Sequence, residues 1–285
     1  CRHQGMMRSL LQASLQEMYR REETFTWLMP AAEAIYRPFG FRFIYEKNKM
    51  TVTADVLRRA ETDEKWQIHS DQEVSGDIFC EEAKKEDLAE LACFAEKQLS
   101  KLAEVYTVHD IAYFEQRMQE VECEGGSLIL IRKEKEICGY FLALKKDREA
   151  WEIVVEDAVQ KKAFPAVLHW FGESKEKCTF TAFPQIWEQY AQSENVPAIM
   201  GRIVHLERFV CCLKIKKEQE WKIRLTDSLI PENNGYFIIK TGIEGGSLIR
   251  VENLSEKEKK MFCSMDIGQL TEELFRLPVF LNEVV

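Results

Sequence analysis

The chain has 285 residues, which suits one large domain or two to three modest ones. Its 39 Lys and Arg residues against 48 Asp and Glu residues give a net charge of −9, which argues against nucleic-acid binding because that function needs a basic surface. A hydrophobic share of 46% with 31% charged residues is ordinary for a globular protein and excludes wholesale disorder. No uncharged apolar run approaches the roughly 18 residues that a membrane-spanning helix needs.

Cysteine and histidine usage favours a reduced compartment without a metal centre. The nine cysteines are dispersed, contain no C-x-x-C motif and have one close pair, Cys211-Cys212. This odd, scattered set is typical of free thiols in a cytoplasm. The five histidines are far apart in the sequence, so we predict no metal site.

The first 76 residues show an alternation of helix and strand. From Met7 to Tyr19 the apolar residues follow a helical period, and Arg20 and Arg21 close the helix where positive charge is favourable. Residues 24–29 then predict a strand stopped by Pro30, residues 31–36 a short helix and residues 41–46 a second strand. Residues 47–77 are polar and predict a strand or two within a connection. This alternation indicates an α/β layer.

Two further domains are predicted, at residues 77–183 and 184–285. The middle domain has predicted helices at 81–102, 110–120 and 157–171, a hairpin at 127–132 and 137–144, and strands at 151–155 and 178–182. The last domain has predicted helices at 204–213 and 266–275, and strands at 221–225, 236–240 and 247–251. Its tail, residues 278–285, is mostly apolar.

The first candidate site is the head of the first helix, Arg2-His3-Gln4-Gly5-Met6-Met7-Arg8. A helix start presents unpaired N–H groups and partial positive charge, which together can hold a phosphate. Gly5 permits close backbone approach, and Arg2 and Arg8 add charge. The alternative is the basic start of a surface helix.

Two other segments offer proton-transfer groups. Tyr36, at the end of a short helix and beside a strand, can donate its phenolic proton to a leaving group, or can be an aromatic packing residue in a tight turn. The apolar C-terminus would carry the carboxylate of Val285 with it if buried, and a desolvated carboxylate is the better base. The alternative is a tail that packs on its own domain while that carboxylate stays solvated.

Together these segments resemble the GNAT acetyltransferases, in particular their enhanced intracellular survival (Eis-like) branch. Arg2-His3-Gln4-Gly5-Met6-Met7 resembles the R/Q-x-x-G-x-G/A coenzyme A loop, with Met7 where the general motif prefers Gly or Ala. The stretch Ile35-Tyr36-Arg37-Pro38-Phe39-Gly40-Phe41 and the ending Asn282-Glu283-Val284-Val285 are similar to that branch.

The resemblance implies a role for each candidate residue. The loop from His3 to Arg8, with Arg2, would hold the pyrophosphate of acetyl-CoA, and Ala31 and Ala32 would border the cofactor. Tyr36 would be the general acid toward the departing thiolate, and the terminal carboxylate of Val285 would be the base. The acceptor would be a primary amine on an aminoglycoside, a polyamine or a lysine side chain.

The resemblance also implies an α/β (α+β) architecture of tandem GNAT-like domains followed by a sterol-carrier-protein-like domain, assembled as a hexamer of three dimers. Residues 1–76 would be the C-terminal half of the catalytic domain with a linker. Residues 77–183 would be a second, degenerate GNAT-like domain, because its segment 157–164 contains no glycine. Residues 184–285 would be the sterol-carrier-like domain, and the alternative function is lipid binding or assembly through it.

The family places several strands before the coenzyme A loop, whereas this chain starts with Cys1 shortly before the first helix. We therefore expect the chain to begin in mid-domain, with a strand edge and an apolar helix face left uncovered. These 285 residues by themselves should aggregate or bind coenzyme A poorly and have little activity.

Overall fold

Two units of mixed helix and strand make up the chain. The computed structural model describes residues 6–53, 56, 78–172, 177–213, 218–242, 244–276 and 279–280. Contacts group residues 1–45 with 198–276 as unit 1, and residues 46–197 with 277–285 as unit 2. This grouping joins segments distant in sequence, and the three-domain assignment above stays a prediction.

The described residues contain eight α-helices and fourteen strands. The helices are α1 Met6–Arg20, α2 Glu33–Tyr36, α3 Leu88–Leu102, α4 Ile111–Cys123, α5 Gln160–Trp170, α6 Leu206–Cys212, α7 Glu256–Lys259 and α8 Ile267–Leu274. The strands are β1 Phe25–Leu28, β2 Arg42–Val52, β3 Ile78–Glu82, β4 Val105–Tyr106, β5 Ser127–Lys133, β6 Glu136–Leu144, β7 Glu149–Val155, β8 Cys178–Thr181, β9 Ser193–Ile203, β10 Gln219–Thr226, β11 Gly235–Gly242, β12 Gly245–Val251, β13 Cys263–Asp266 and β14 Val279–Phe280.

Unit 1 is built around two groups of strands. In the first, β1 pairs antiparallel with the end of β9, and the start of β2 follows β9 in strand order. In the second, the order is β12–β11–β10–β13, antiparallel except for the parallel pair β10–β13. Seven buried side chains, which we call the Phe39 cluster, connect α1, the turn after α2, β9 and the loop after β10: Leu15, Phe39, Phe41, Met200, Val204, Leu229 and Ile230.

Unit 2 has a sheet in the order β2–β8–β7–β6–β5–β3, with β7 and β8 parallel and the other neighbouring pairs antiparallel. The β5 sequence Leu-Ile-Leu-Ile at 128–131 is buried on both sides, because alternate residues point to opposite faces of a strand. Ile129 and Ile131 pack in the cluster that includes α5, whereas Leu128 and Leu130 pack with α3 and α4. Both faces of this sheet are therefore covered by helices.

The structure confirms the mixed α/β class and most of the predicted elements. The hairpin β5–β6 and the helix α1 lie where the periodicity predicts them. Within the described residues no helix is long and apolar enough to cross a membrane.

One predicted boundary is wrong, and one long strand is absent from the prediction. The predicted helix at 81–102 starts at Leu88, because residues Ile78–Glu82 form β3 and pair with β5. The long strand β9, Ser193–Ile203, is missing from the prediction, since its first half is polar and contains Pro197 and so shows no strand pattern. In both cases a neighbouring strand decides the conformation that the local pattern leaves open.

Candidate active site

The head of α1 is an exposed helix start without negative charge. Met6, Met7 and Arg8 occupy its first turn and are exposed, and that turn contains no acidic residue. The first N–H groups of a helix have no partner within the helix, and the helix dipole makes this end partially positive. This end of the 15-residue α1 can therefore bind an anion. The other predicted loop residues, Arg2, His3, Gln4 and Gly5, lie outside the described residues.

The helix α1 and the strand β1 share one part of the core of unit 1. Four residues, 21–24, connect α1 to β1, and Glu22 takes a left-handed conformation with φ of 60° as the helix ends. Leu15 of α1 and Leu28 of β1 both pack in or against the Phe39 cluster.

The predicted cofactor and acid residues Ala31, Ala32 and Tyr36 follow β1 along the chain. Ala31 and Ala32 are exposed, and Ala32 precedes α2 in an extended conformation. The carbonyl oxygen of Ala32 accepts a hydrogen bond from the N–H of Ile35 at 3.1 Å. Tyr36 ends α2 and is half-buried, with its ring edge-on to Phe41 at a centroid distance of 6.1 Å. The phenol is thus held by packing at its ring.

A tight turn fixes the backbone after Tyr36. Residues Arg37–Phe39 form a single 3-10 turn that ends at Gly40, whose φ is +82°. The N–H of Gly40 donates to the carbonyl oxygen of Arg37 at 3.1 Å. Glycine suits this left-handed position because it has no Cβ to clash.

A buried ion pair that sequence analysis missed lies beneath this turn. Arg202 on β9 is 1% exposed, and its guanidinium Nη2 lies 2.8 Å from both carboxylate oxygens of Asp227. Its Nη1 donates to the carbonyl oxygen of Phe39. Asp227 also accepts hydrogen bonds from the backbone N–H groups of Leu229 and Ile230, at 3.0 and 3.1 Å. The sequence contains one signal of this pair: Arg202 is a lone charge within the apolar run 198–204, and a charge at such a position needs a partner.

The second predicted proton-transfer group, the carboxylate of Val285, lies outside the described residues. Of the tail, the backbone of β14 is described, and it pairs in parallel with β4 of unit 2. The role of Val285 as a base therefore stays a prediction.

Unit 2 contains a buried polar network of its own. Nδ1 of His109 lies 2.7 Å from the hydroxyl of Tyr140, and the hydroxyl of Tyr113 donates to Glu152 at 2.6 Å. Arg117 donates to the other carboxylate oxygen of Glu152 at 3.0 Å. Burial, reinforced by the positive charge of Arg117, lowers the pKa of His109 to about 3. Burial raises the pKa of Tyr140 and of Tyr113, so both phenols stay protonated and the imidazole stays neutral.

The segment predicted to have lost a cofactor loop begins α5 of unit 2. A 3-10 turn, Asp157–Val159, precedes this helix, and the side-chain amide of Gln160 donates to the Asp157 carboxylate at 2.8 Å. Phe164 is fully buried and stacks on Tyr190. The loss of cofactor binding in this unit stays a prediction.

The described cysteines form no disulfides, and burial raises the pKa values of some of them. Eight of them are described, and all are free thiols. Burial raises the pKa of Cys80 to about 12 and of Cys138 to about 11, so these two remain thiols at neutral pH. In the same described ranges, no three His, Cys, Asp or Glu side chains are grouped as metal ligands.

Comparisons with known proteins agree with this geometry. Residues 1–44, which include α1, β1 and Tyr36, match the family model described as the acetyltransferase (GNAT) domain. The fold is similar to that of a conserved protein of Enterococcus faecalis V583 described as a probable N-acyltransferase, with a TM-score of 0.69 and 14% identity over 95% of this chain and 67% of that one. No curated protein matches the chain.

Two further solved structures have the same fold. A GCN5-related N-acetyltransferase from Kribbella flavida has a TM-score of 0.69 and 14% identity, over 96% of this chain and 67% of that one. Eis1 from Mycobacterium abscessus has a TM-score of 0.60 and 13% identity, over 95% of this chain and 68% of that one. The chain thus spans about two thirds of the length of these proteins and has the fold of GNAT acetyltransferases.

Proposed function

We propose that this protein is an N-acetyltransferase that moves an acetyl group from acetyl-CoA to a primary amine. The observation that carries the proposal is the family match over residues 1–44, since this segment contains both the anion-binding helix start and Tyr36. The proposed acceptor is an aminoglycoside, a polyamine or a lysine side chain, as the resemblance to the Eis-like branch implies. The proposed cosubstrate is acetyl-CoA, and no metal is needed for the reaction.

In the proposed complex, the coenzyme pyrophosphate binds at the head of α1. The N–H groups of the first turn and the guanidinium of Arg8 provide positive charge there, and the proposed loop also includes Arg2, His3, Gln4 and Gly5 of the matched segment. Ala31 and Ala32 are exposed and have short side chains, so their backbone can border a cofactor. The negative charge of the coenzyme is thus bound by backbone and side-chain donors together.

The proposed reaction is direct transfer between the two bound substrates. The amine nitrogen attacks the thioester carbonyl carbon, and the resulting tetrahedral intermediate collapses as its C–S bond breaks. Tyr36 supplies a proton to the departing thiolate, and the carboxylate of Val285 accepts the proton that the attacking amine loses. Proton balance is complete, because one proton leaves the nitrogen and one reaches the sulfur.

The decisive experiment compares two tyrosine variants of the whole gene product. Acetylated amine is measured by mass spectrometry with an aminoglycoside, a polyamine and a lysine peptide as acceptors. We expect Tyr36→Phe to lower kcat by about 100-fold, because a general acid contributes on that scale. Tyr236→Phe is the matched control, since Tyr236 is also half-buried in unit 1 and contacts Phe262 edge-on.

Two results would contradict the proposal. Absence of acetyl transfer to every amine would reject the activity, and equal kcat in the two variants would reject the role of Tyr36. Lipid binding through the sterol-carrier-like segment, the hexamer and the cytoplasmic location remain predictions from the sequence.

A further inference from the structure

The polar interactions beneath the Tyr36 turn extend in two directions from one buried ion pair. In one direction, Nη1 of Arg202 donates to the carbonyl oxygen of Phe39, three residues after Tyr36. In the other, Asp227 accepts hydrogen bonds from Leu229 and Ile230, whose side chains belong to the Phe39 cluster. Tyr36 packs against this same cluster. The ion pair is thus bonded to both the turn and the loop that border the Tyr36 ring.

The space beneath the turn is filled by the guanidinium. A Cβ placed on Gly40 would lie 2.2 Å from Nη1 of Arg202, so the backbone of the turn rests directly on that group. Both members of the pair are buried, with side-chain exposures of 1% for Arg202 and 0% for Asp227. The planar guanidinium has a fixed fork of donors, which holds two acceptors in one relative position.

Further hydrogen bonds prevent the carboxylate from shifting. Asp227 accepts from the side-chain amide of Asn233 at 3.0 Å, and that amide also donates to the carbonyl oxygen of Val204 at 2.9 Å. The side-chain oxygen of Asn233 accepts from the N–H of Leu206 at 3.2 Å. The ion pair is therefore anchored to the connection between β9 and α6.

Burying the two charges of an ion pair costs desolvation free energy, which offsets much of their attraction. An apolar pair of similar volume is often as stable as a buried ion pair or more stable. This ion pair, however, also binds the carbonyl oxygen of Phe39, three residues after the proposed acid Tyr36. Such a contact can serve catalysis as well as stability, because a displacement of about 1 Å at a reacting group can cost about 100-fold in rate.

We propose that Arg202, held by Asp227, is a positioning residue that fixes the Tyr36 turn through the carbonyl oxygen of Phe39. Arg202 itself does not touch the reacting atoms; it sets where the phenol lies relative to the thioester. The inference rests on the proposed function for its catalytic consequence, whereas the placement of the Tyr36 ring can be measured independently of activity.

The test uses the charge-neutral double variant Arg202→Met with Asp227→Asn, which leaves no unpaired buried charge. The matched control is Arg117→Met with Glu152→Gln in unit 2, where both side chains of the ion pair are 4% exposed. Each protein is prepared with 3-fluorotyrosine, and the ¹⁹F signal of Tyr36 is assigned by its loss in Tyr36→Phe. The acetyl-transfer kcat and the KM for acetyl-CoA are measured in parallel.

We expect the first double variant to shift or broaden the Tyr36 signal and to lower kcat at least about 10-fold, with the KM for acetyl-CoA within about twofold. The control should leave the signal and kcat unchanged. An unchanged Tyr36 signal and kcat in the first variant would overturn the inference, and so would equal changes in the control. If the unaltered protein transfers no acetyl group, the proposed function fails and the ¹⁹F signal alone decides the positioning role.

A more conservative substitution, Arg202→Lys, tests the same inference if the double variant does not fold. Arg202→Lys keeps the ion pair with Asp227 but replaces the fork of donors by a single ammonium group. We expect this variant to lose the bond to Phe39 and to shift the Tyr36 signal. A signal identical to that of the unaltered protein would overturn the inference.

Discussion

At the residue scale, one glycine determines whether the turn after Tyr36 can form. Gly40 has a positive φ, and Nη1 of Arg202 occupies the space where a Cβ would lie. Gly125 has nearly the same φ, +81°, yet no heavy atom lies within 4 Å of its Cβ position. A side chain at Gly125 would thus cost only the free energy of the left-handed backbone, whereas a side chain at Gly40 would add the free energy of a steric clash.

We predict that Gly40→Ala destabilises the protein more than Gly125→Ala. A left-handed alanine costs about 1–2 kcal/mol at either position, and Gly40→Ala must in addition displace the buried guanidinium. Urea unfolding of both variants gives the two changes in the free energy of unfolding. Equal losses would mean that Arg202 can move away at no cost, which would weaken the positioning role proposed for it.

The lowered pKa of His109 predicts that the stability of unit 2 depends on pH. Burial, together with the charge of Arg117, lowers the pKa of His109 in the folded state to about 3, whereas an unfolded histidine has an ordinary pKa of about 6.5. Between these pH values the unfolded chain binds a proton that the folded chain does not bind. Stability therefore falls as the pH decreases through this window.

We predict that His109→Gln reduces the loss of stability between pH 7 and pH 5 by about 2 kcal/mol, because the histidine no longer takes up a proton on unfolding. His169→Gln is the control, since His169 is exposed on α5. The free energies of unfolding at the two pH values are obtained from urea titrations. The same pH dependence in His109→Gln and in the unaltered protein would show that His109 is protonated in the folded state.

At the element scale, α7 and α8 both begin with a reciprocal cap but differ in how much of the helix is buried. The Asp266 carboxylate caps α8 by accepting from the N–H of Gln269 at 2.7 Å, and the Gln269 side chain accepts from the N–H of Asp266. Ile267, Leu270 and Leu274 of this helix are buried in the core of unit 1. The four-residue α7 has a similar cap at Ser255, but none of its own residues is buried.

We predict that Asp266→Ala lowers the free energy of unfolding by about 1 kcal/mol, the usual contribution of such a cap. Ser255→Ala should change it by less than about 0.5 kcal/mol, because fraying of α7 exposes no core. Circular dichroism during urea unfolding measures both variants. A larger loss for Ser255→Ala would show that α7 contributes to stability through contacts other than burial.

At the scale of the whole molecule, the net charge of −9 affects how substrates approach. An acidic protein attracts cationic amines over distances comparable to the Debye length, and added salt screens this attraction. If the proposed function holds, kcat/KM for a polyamine should fall more steeply with salt than kcat/KM for a monoamine. Steady-state assays between low salt and about 0.5 M NaCl test this. The same slope for both acceptors would mean that the net charge does not guide them.

The sequence by itself determined the local features of this protein. The period of α1, the hairpin β5–β6 and the α/β alternation of the first residues follow from the spacing of apolar side chains, which acts over a few residues. The sequence also identified Tyr36 as a residue at the end of a short helix. Its proposed role, and those of the residues near Gly5, came from a resemblance and remain to be tested.

The tertiary structure decided what depends on residues distant in the chain. The predicted helix 81–102 begins too early because the last two residues of β3 pair with β5, some fifty residues away and beyond the reach of a local pattern. Arg202 and Asp227 are 25 residues apart, and Phe39 is 163 residues from Arg202. Pairing makes the burial of such charges acceptable, and the two side chains meet only in the folded chain.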